Sequence, residues 1–489
     1  MRHASGQSPT DFAPAFATAA EMSAALRQKA ISAVELLELT FQRIDRHNPR
    51  LNAIVWQCRD EAMQRAKHAD GALAAGRAVG PLHGVPITIK EAFAFRGSPN
   101  TWGLPPLKSA VSPRTAVAIE RLESAGAIVI GKTNVPVMLG DWQTYNSIYG
   151  TTNNLWDVSR TPGGSTGGGA AALAAGLGAL TIGSDLAGSI RIPAHFCGVY
   201  GHKPSLDLVS MAGFQPGPWD GSPGPPMDLA VVGPMARGAR DLGVALEVLG
   251  GPDRGDAKAW TWRLPPPRHR RLEEFRVGCV IDDPIAPIAS DIRQRYEDTL
   301  SALSAAGAKV ARGWPPGLDL QAAARTYGYL LMSLVSADLT QKDDAAQSGP
   351  RADAAAAPAF DHAQWLRETV RRFAFRAIWQ QYFESYDVFL LPASFTAAFR
   401  HDHAEPMGRR VIDTPAGPRP YIQEAPYWIS TASLAGLPAT VAPVGLTEGG
   451  LPVGIQIIAP MWEDGTSIEF SALLSDVVGG FTPPPAVLG

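Results

Sequence analysis

With 489 residues, the chain exceeds the usual size of one small core, so we expect either two domains or one large α/β domain. Hydrophobic residues make up 45% and charged residues 18%, a globular balance that excludes a disordered chain. The net charge of -3 gives no electrostatic reason for a nucleic-acid or membrane partner, so a small-molecule partner is favoured.

The first sixty residues carry helical signals. Arg2 and the run APAFATAA weakly resemble a signal peptide, but Asp11 and two prolines interrupt the apolar region. Ser32 and Glu35 have the spacing of a capping box at the start of an amphipathic pattern. The sequence therefore predicts structural helices here and a cytoplasmic protein.

Cysteine usage and hydropathy narrow the class further. Three cysteines lie far apart and in no CxxC pattern, which argues against both disulfides and a thiolate metal site: Cys58, Cys197 and Cys279. No apolar run approaches the roughly 20 residues that span a bilayer. Free thiols and no membrane span are expected.

Helices and strands then alternate along the chain. Strand patterns are NAIVW (52–56), GVPITIKEAFAF (84–95) and ALTIGSD (179–185); helix patterns are EAMQRAKHADGALAAG (61–76) and residues 168–177. TAVAIERLESAGAIVIGKTN (115–134) is a helix, a glycine break and a buried strand. This alternation predicts a sheet covered by helices.

The second half is more varied. Residues 211–227 are too rich in proline and glycine for regular structure, and either an active-site cover or a surface connection fits them. Residues 290–385 are mostly helical, with an alanine-rich interruption at 349–360 that we expect to be disordered. Further strand patterns are FRVGCVIDD (275–283), YDVFLLPAS (386–394), LPATVAPVG (437–445) and GLPVGIQIIAP (450–460).

The glycine-rich stretch TPGGSTGGGAAALAAGLGAL (161–180) has three interpretations. A flexible linker would not run directly into a tightly packing alanine-rich helix. A phosphate loop needs GxxxxGK[ST], or GxGxxG after a strand, and neither pattern is present. The third interpretation treats the glycines as places where the backbone approaches another backbone or a substrate closely.

That interpretation directs attention to serines and to what could activate them. A serine hydroxyl is a poor nucleophile without a base within hydrogen-bond reach. His195 and His202 have no evident acidic partner and no G-x-S-x-G elbow nearby. Lys90 lies among apolar residues, which would lower its pKa and leave an amine able to accept a proton. Taken singly, Ser165 could be a helix N-cap and Lys90 a surface residue. Metal-dependent hydrolysis is a further alternative, and the HDH sequence at 401–403 is the one feature that indicates it.

Residues 163–205 resemble the signature of the amidase signature family of serine hydrolases: GGSSGG, an alanine-rich helix, then G-x-D-x-x-G-S-I-R-x-P-A. The similarity extends to GVPITIKE, GKTN, GPMARGARDL and GLPVGIQIIAP, and so covers most of the chain. Ser165 precedes Ser189 by 24 residues and follows Lys90 by 75, spacings typical of that family.

The resemblance implies an α/β fold with a single large amidase-signature domain, whose mixed, twisted β-sheet is covered by helices on both faces. Four regions are expected: N-terminal helices (1–60), a catalytic core (61–260), a variable helical, substrate-facing region (261–430), and C-terminal strands and a helix that close the same sheet (431–489).

The resemblance also implies roles for individual residues. Ser189 is the nucleophile, Ser165 relays its proton from within a cis peptide bond after Gly164, and Lys90 is the final base. The turn DLAGS supplies the amides of an oxyanion hole: Leu186, Ala187, Gly188 and Ser189. Supporting positions are Gly164, Thr166, Asp185 and Arg191. Ala187 stands where the family usually has glycine, and Thr166 where serine is commoner.

Other departures from the family bear on substrate. VPVMLGDWQTYNS follows GKTN in place of the common Glu-Phe-Ala segment, and SLD follows KP. An apolar, aromatic-tolerant pocket is expected from nearby residues: Trp102, Met138, Trp142, Tyr145, Phe214 and Trp219.

The resemblance therefore implies an amidase without metal or organic cofactor that acts on aryl or apolar amides, with carbamates as a further substrate class and with urethanase and esterase side activities. It is expected to be a monomer or homodimer whose partner is its small-molecule substrate. The alternative is the glutaminase component of a tRNA-dependent amidotransferase complex, which shares the signature.

Overall fold

The computed structural model describes residues 13–222, 227–253, 255–336, 360–414, 417–424 and 426–485. Several features of the sequence lie outside this part of the chain. These are Arg2 and Asp11, part of the loop at 211–227, and all but the last residue of the interruption at 349–360. Among the described helices, none combines the length and the apolar character that crossing a membrane requires.

Within the described residues, eleven strands form one large sheet. In chain order they are β1 (Ile54–Gln57), β2 (Pro86–Lys90), β3 (Ile128–Thr133), β6 (Leu180–Asp185), β7 (Tyr200–Lys203), β8 (Val231–Ala236), β9 (Arg276–Cys279), β10 (Lys309–Arg312), β11 (Val388–Pro392), β14 (Ala439–Leu446) and β15 (Pro452–Ile458). Two small hairpins lie apart from the sheet: β4 (Tyr145–Asn146) with β5 (Gly150–Thr151), and β12 (Val411–Thr414) with β13 (Gly417–Pro420).

The sheet is mixed, as the resemblance implied. Its spatial order is β1-β3-β2-β6-β8-β7-β14-β15-β11-β9-β10. Strand β2 runs parallel to β3 and β6, and β9 runs parallel to β10 and β11, while the other neighbours are antiparallel. Because strands from residue 54 to residue 458 join the same sheet, the single large α/β domain is confirmed.

Helices cover both faces of this sheet. They are α1 (Ala19–Arg27), α2 (Ala33–Leu51), α3 (Arg59–Ala74), α4 (Val117–Ser124), α5 (Gly167–Ala174), α6 (Arg191–Cys197), α7 (Ala239–Leu249), α8 (Ser290–Ala305), α9 (Leu320–Ser336), α10 (His362–Ser385), α11 (Tyr421–Glu424), α12 (Pro426–Ala435) and α13 (Asp464–Val478). Helices α5 and α6 pack together against the middle strands, and α7 packs with α13 and α4. The capping box predicted for Ser32 and Glu35 is present at the start of α2.

One predicted strand is shorter than expected, and one further strand lies in the region 290–385, whose mostly helical character is confirmed. The strand expected over 84–95 ends at Lys90, where the amide of Phe93 donates to the Lys90 carbonyl in a turn, and the Glu91 carboxylate accepts hydrogen bonds from the backbone amides of Thr101 and Trp102. The region 290–385 also contains a strand, β10, which adds to the edge of the sheet. The early end of β2 places Lys90 at the carboxyl edge of the sheet.

The glycine-rich stretch is a site of close backbone approach. A Cβ atom on Gly164 would lie 2.3 Å from the Asp141 carbonyl oxygen, and one on Gly168 would lie 2.5 Å from the Asn134 nitrogen. Every residue of α5, which follows, is buried. The absence of side chains therefore lets this segment pack directly against the backbone of neighbouring loops.

Candidate active site

A buried lysine and two serine hydroxyls meet at the carboxyl edge of the sheet. Lys90 Nζ lies 2.7 Å from Ser165 Oγ and 2.9 Å from Ser184 Oγ. Lys90 ends β2, Ser184 lies in the adjacent parallel strand β6, and Ser165 precedes α5. Ser184 was missed by the sequence reasoning, because only the pairing of β2 with β6 brings it to the lysine.

The environment of Lys90 favours its neutral form. Burial lowers the pKa of this lysine to about 7, because the charged ammonium loses its hydration, although the negative charge of Asp185 acts in the opposite direction. An amine with this pKa can accept a proton near neutral pH.

The two serines named in the sequence analysis are joined through the backbone. The peptide bond between Gly164 and Ser165 is cis, and the next amide, that of Thr166, donates a 3.1 Å hydrogen bond to the Ser189 carbonyl. Ser189 is 8% exposed, and within the described residues its hydroxyl makes no hydrogen bond. The structure therefore brings Lys90, Ser165 and Ser189 into one site.

The turn before Ser189 contains one backbone amide that is hydrogen-bonded and others that are not. The amide of Gly188, a residue with φ of +89°, donates to Asp185 Oδ1 at 3.0 Å. The amides of Leu186, Ala187 and Ser189 make no hydrogen bond within the described residues. Gly188 is therefore not a free donor, contrary to the expectation of four oxyanion-hole amides, and the turn offers three.

A buried ion pair supports this turn. Asp185 and Arg191 are joined by hydrogen bonds of 2.7 and 3.0 Å, and both side chains are fully buried. Burial alone would raise the pKa of Asp185, but the Arg191 guanidinium lowers it to about 2. Arg191 also donates to the Ile429 carbonyl, Gln456 and Ser433, and so ties the turn to α12 and β15.

Apolar side chains pack against the same turn, and we call them the apolar wall. They are Trp142, Leu186, Ala187, Tyr327 and Ile429, which belong to one hydrophobic cluster. Tyr327 comes from α9 and Ile429 from α12, so two of the five residues belong to the region 261–430, and both are buried. The partly exposed side of the apolar wall is therefore formed by Trp142, Leu186 and Ala187.

Comparison with known proteins identifies the family. The family model described as Amidase matches residues 35–468. The chain belongs to the amidase family. It is an amide hydrolase by that membership, and the resemblance seen in the sequence is confirmed.

Two different functions are described among the relatives of this amidase. The chain is 32% identical to indoleacetamide hydrolase of Bradyrhizobium diazoefficiens, over 94% of this chain and 86% of that protein. It is 31% identical to a glutamyl-tRNA(Gln) amidotransferase component of Bdellovibrio bacteriovorus, over 92% of this chain and 94% of that one. A bacterial aryl acylamidase of the amidase signature family has a similar structure, with a TM-score of 0.77, 25% identity, and coverage of 94% of this chain and 96% of that one.

Of the aromatic residues expected to form a pocket in this amidase, one borders the turn. Trp142 lies in the apolar wall. Phe214 and Trp219 are each 5% exposed and belong to the main core, where Phe214 packs on Trp102 with ring centroids 4.9 Å apart. These two residues pack in the main core, and a contact of either with substrate stays a prediction.

The remaining two pocket candidates lie at the surface or near it. Met138 is exposed, and Tyr145 accepts a hydrogen bond of 2.8 Å from Arg410 and stacks on His403. A contact of either residue with substrate stays a prediction.

Among the histidines that the structure describes, none forms a hydrogen bond with Ser165 or Ser189. His202 does have an acidic partner, contrary to the expectation: its Nε2 lies 3.0 Å from Asp464, and its Nδ1 lies 2.9 Å from Thr440. His195 bonds the Thr396 carbonyl and the Gly454 amide. Within the described residues, no three histidine, cysteine, aspartate or glutamate side chains gather as a metal site, so the HDH at 401–403 does not form one.

Proposed function

We propose that the protein hydrolyses amides and carbamates that carry aryl or apolar groups, through an acyl-enzyme on Ser189 and without an accessory protein. The observation that carries the proposal is the buried hydrogen bond between Lys90 and Ser165, formed beside Ser189 and the apolar wall.

The reaction follows from the positions of three side chains. Ser189 Oγ attacks the substrate carbonyl carbon, and its proton passes to Ser165 Oγ while the Ser165 proton passes to Lys90 Nζ. The same path then returns a proton to the leaving nitrogen, and the C–N bond breaks. In the second half of the cycle, water attacks the acyl carbon and its proton passes through Ser165 to Lys90. That proton then returns to Ser189 Oγ as the bond between Oγ and the acyl carbon breaks and the acid is released.

The contact between Ser165 and Lys90 is already formed in the free protein. The contact between Ser189 and Ser165 is not, since the Ser189 hydroxyl makes no hydrogen bond within the described residues. Catalytic hydrogen bonds often tighten only when substrate binds. We propose that the contact between Ser165 and Ser189 forms in the Michaelis complex.

Negative charge on the tetrahedral intermediate needs donors aimed at its oxygen. The donors in this proposal are the amides of Leu186, Ala187 and Ser189, which are unpaired in the part of the chain that the structure describes; Gly188 is excluded by its bond to Asp185. No step uses a metal or an organic cofactor, so we expect activity to be insensitive to a chelator.

The apolar wall bears on the substrate class. Glutamine would bring an ammonium and a carboxylate to the site, and burial of these charges requires charged or hydrogen-bonding partners. The side chains of the apolar wall instead suit an aryl or alkyl group. This favours the free amidase over the amidotransferase component, although relatives carry the second function.

A substrate panel tests the proposal. Purified protein is assayed with acetanilides, aryl carbamates, aryl esters and L-glutamine, with Ser189→Ala as the control for contaminating hydrolases. We expect anilide and carbamate cleavage by the wild type alone. Ammonia release from glutamine that appears only when the other amidotransferase components are added, together with no cleavage of aryl amides, would overturn it.

A further inference from the structure

The side chain of Trp142 contacts the backbone that carries the oxyanion donors. Its indole Nε1–H donates a hydrogen bond of 2.7 Å to the carbonyl oxygen of Ala187. This residue lies in the segment that departs from the family pattern after GKTN, and nothing in the proposed reaction uses its N–H group.

Because a peptide bond is planar, this contact restrains the orientation of a whole peptide group in the turn. The carbonyl of Ala187 and the amide of Gly188 belong to one rigid peptide plane. Trp142 holds the oxygen end of that plane, and Asp185 holds the nitrogen end at 3.0 Å. With both ends held, rotation of this plane would break both hydrogen bonds, and the peptide planes that carry the amides of Ala187 and Ser189 are directly bonded to it through one Cα atom each.

Several buried polar residues hold Trp142 in place. Its backbone amide donates to the Tyr421 hydroxyl at 3.1 Å, and that hydroxyl donates to Asp141. Asp141 pairs with Arg410 at 2.6 Å, and both side chains are nearly inaccessible. The rings of Trp142 and Tyr421 also pack edge to face, with centroids 5.4 Å apart. The indole is therefore anchored before substrate arrives.

We propose that Trp142 is a positioning residue that orients the oxyanion donors of the turn, and that it acts through its indole N–H rather than only through its apolar ring. The inference rests on the proposed function, since it assigns the turn to the oxyanion. A residue that served only as part of the apolar wall would affect how tightly substrate binds, whereas a residue that orients the donors affects the transition state.

The test replaces Trp142 by phenylalanine, which keeps an aromatic ring and removes the donor. Trp156→Phe is the matched control, because its indole N–H also donates to a backbone carbonyl, that of Cys197 at 3.1 Å, but Trp156 belongs to neither the turn nor the apolar wall. Each variant is assayed for kcat and KM on an anilide and for the affinity of phenylboronic acid, whose adduct with a serine is a tetrahedral anion.

For Trp142→Phe we expect kcat and boronic acid affinity to fall by at least about tenfold, a smaller loss than the roughly 10²–10³-fold that follows removal of an oxyanion donor itself, while KM stays within about twofold. Trp156→Phe should match the wild type in all three. A kcat within twofold of the wild type in Trp142→Phe, or a change confined to KM, would overturn the proposal.

A second variant covers the case in which Trp142→Phe does not fold. Tyr421→Phe keeps the ring that packs on Trp142 but removes the hydroxyl that holds its amide, and we expect a fall in kcat with KM unchanged. Wild-type parameters in that soluble variant would count against the anchoring. Failure of the proposed function is separate, because it would show as a wild type that cleaves no anilide.

Discussion

Lys90 Nζ lies 2.7 Å from Ser165 Oγ, within hydrogen-bond distance, and both residues are at most 1% exposed. This contact links a proton acceptor to the segment that carries the cis peptide and, through Thr166, to Ser189. The burial that lowers the lysine pKa is the same burial that excludes water from the link.

The first prediction concerns pH. Because the neutral amine of Lys90 is the proton acceptor and its pKa is about 7, kcat/KM should rise as the pH increases through about 7 and level off above it. Steady-state rates on an anilide between pH 5.5 and 9.5 measure this. A flat profile from pH 6 to 9 would contradict the role of Lys90, as would a Lys90→Ala variant with near wild-type rates; we expect that variant to lose at least about 10²-fold.

The second prediction separates the two hydroxyls that contact Lys90. Ser165→Ala interrupts the proton path and should lower kcat by at least about 10²-fold. Ser184→Ala removes a contact of similar length that lies off the path, so its loss should be less than about tenfold. The two variants are compared in the same anilide assay, and equal losses would argue that both serines only hold the lysine in place.

Much of this site could be predicted from the sequence. The resemblance to the amidase signature implies roles for Lys90, Ser165, Ser189, Asp185 and Arg191, and the structure places all five at one edge of the sheet. Local sequence goes far toward positioning them, since each lies at the end of a strand or helix, or within two residues of one.

The features of the site that could not be predicted from the sequence depend on contacts between distant segments. The pairing of β2 with β6 brings Ser184 to Lys90. The Gly188 amide donates a hydrogen bond to the Asp185 carboxylate, so one expected oxyanion donor is already paired. Aromatic composition alone could not separate Trp142, which borders the turn, from Phe214, which packs in the core.

The third prediction concerns stability. Asp185→Asn leaves the buried Arg191 without its charged partner, so the free energy of unfolding should fall by about 3–5 kcal/mol. Asp45→Asn is the control, because its pair with Arg59 is solvent-exposed and should contribute about 1 kcal/mol or less. Urea denaturation at pH 7 measures both, and equal effects would contradict the structural role of the buried pair.

The same pair predicts a pH dependence of stability. The pKa of Asp185 in the folded protein, about 2, lies below its ordinary value of 3.8, so the stabilisation is complete above about pH 4 and is lost as the pH falls toward 2. In Asp185→Asn this part of the acid dependence should be absent. Parallel acid-dependence curves for wild type and variant would contradict the assignment.

The fourth prediction concerns the shape of the turn. Gly188→Ala forces a side chain into a backbone with φ of +89° and brings its Cβ to within 2.9 Å of Ile192 Cδ1, so activity should fall by at least tenfold, about 1.4 kcal/mol in the transition state. Gly76→Ala is the matched control: its φ of +66° is similarly left-handed, but the space around it is open. It should be somewhat less stable than the wild type and fully active. Full activity in Gly188→Ala would contradict the geometry of the turn.

The central claim is that Ser189 carries the acyl group, and mass spectrometry tests it most directly. Wild type and Ser189→Ala are treated with a fluorophosphonate probe, their intact masses are measured, and the labelled peptide is sequenced. We predict one adduct, located on Ser189, and neither labelling nor anilide hydrolysis in a folded Ser189→Ala variant. An adduct on another residue, or turnover retained by Ser189→Ala, would contradict the account.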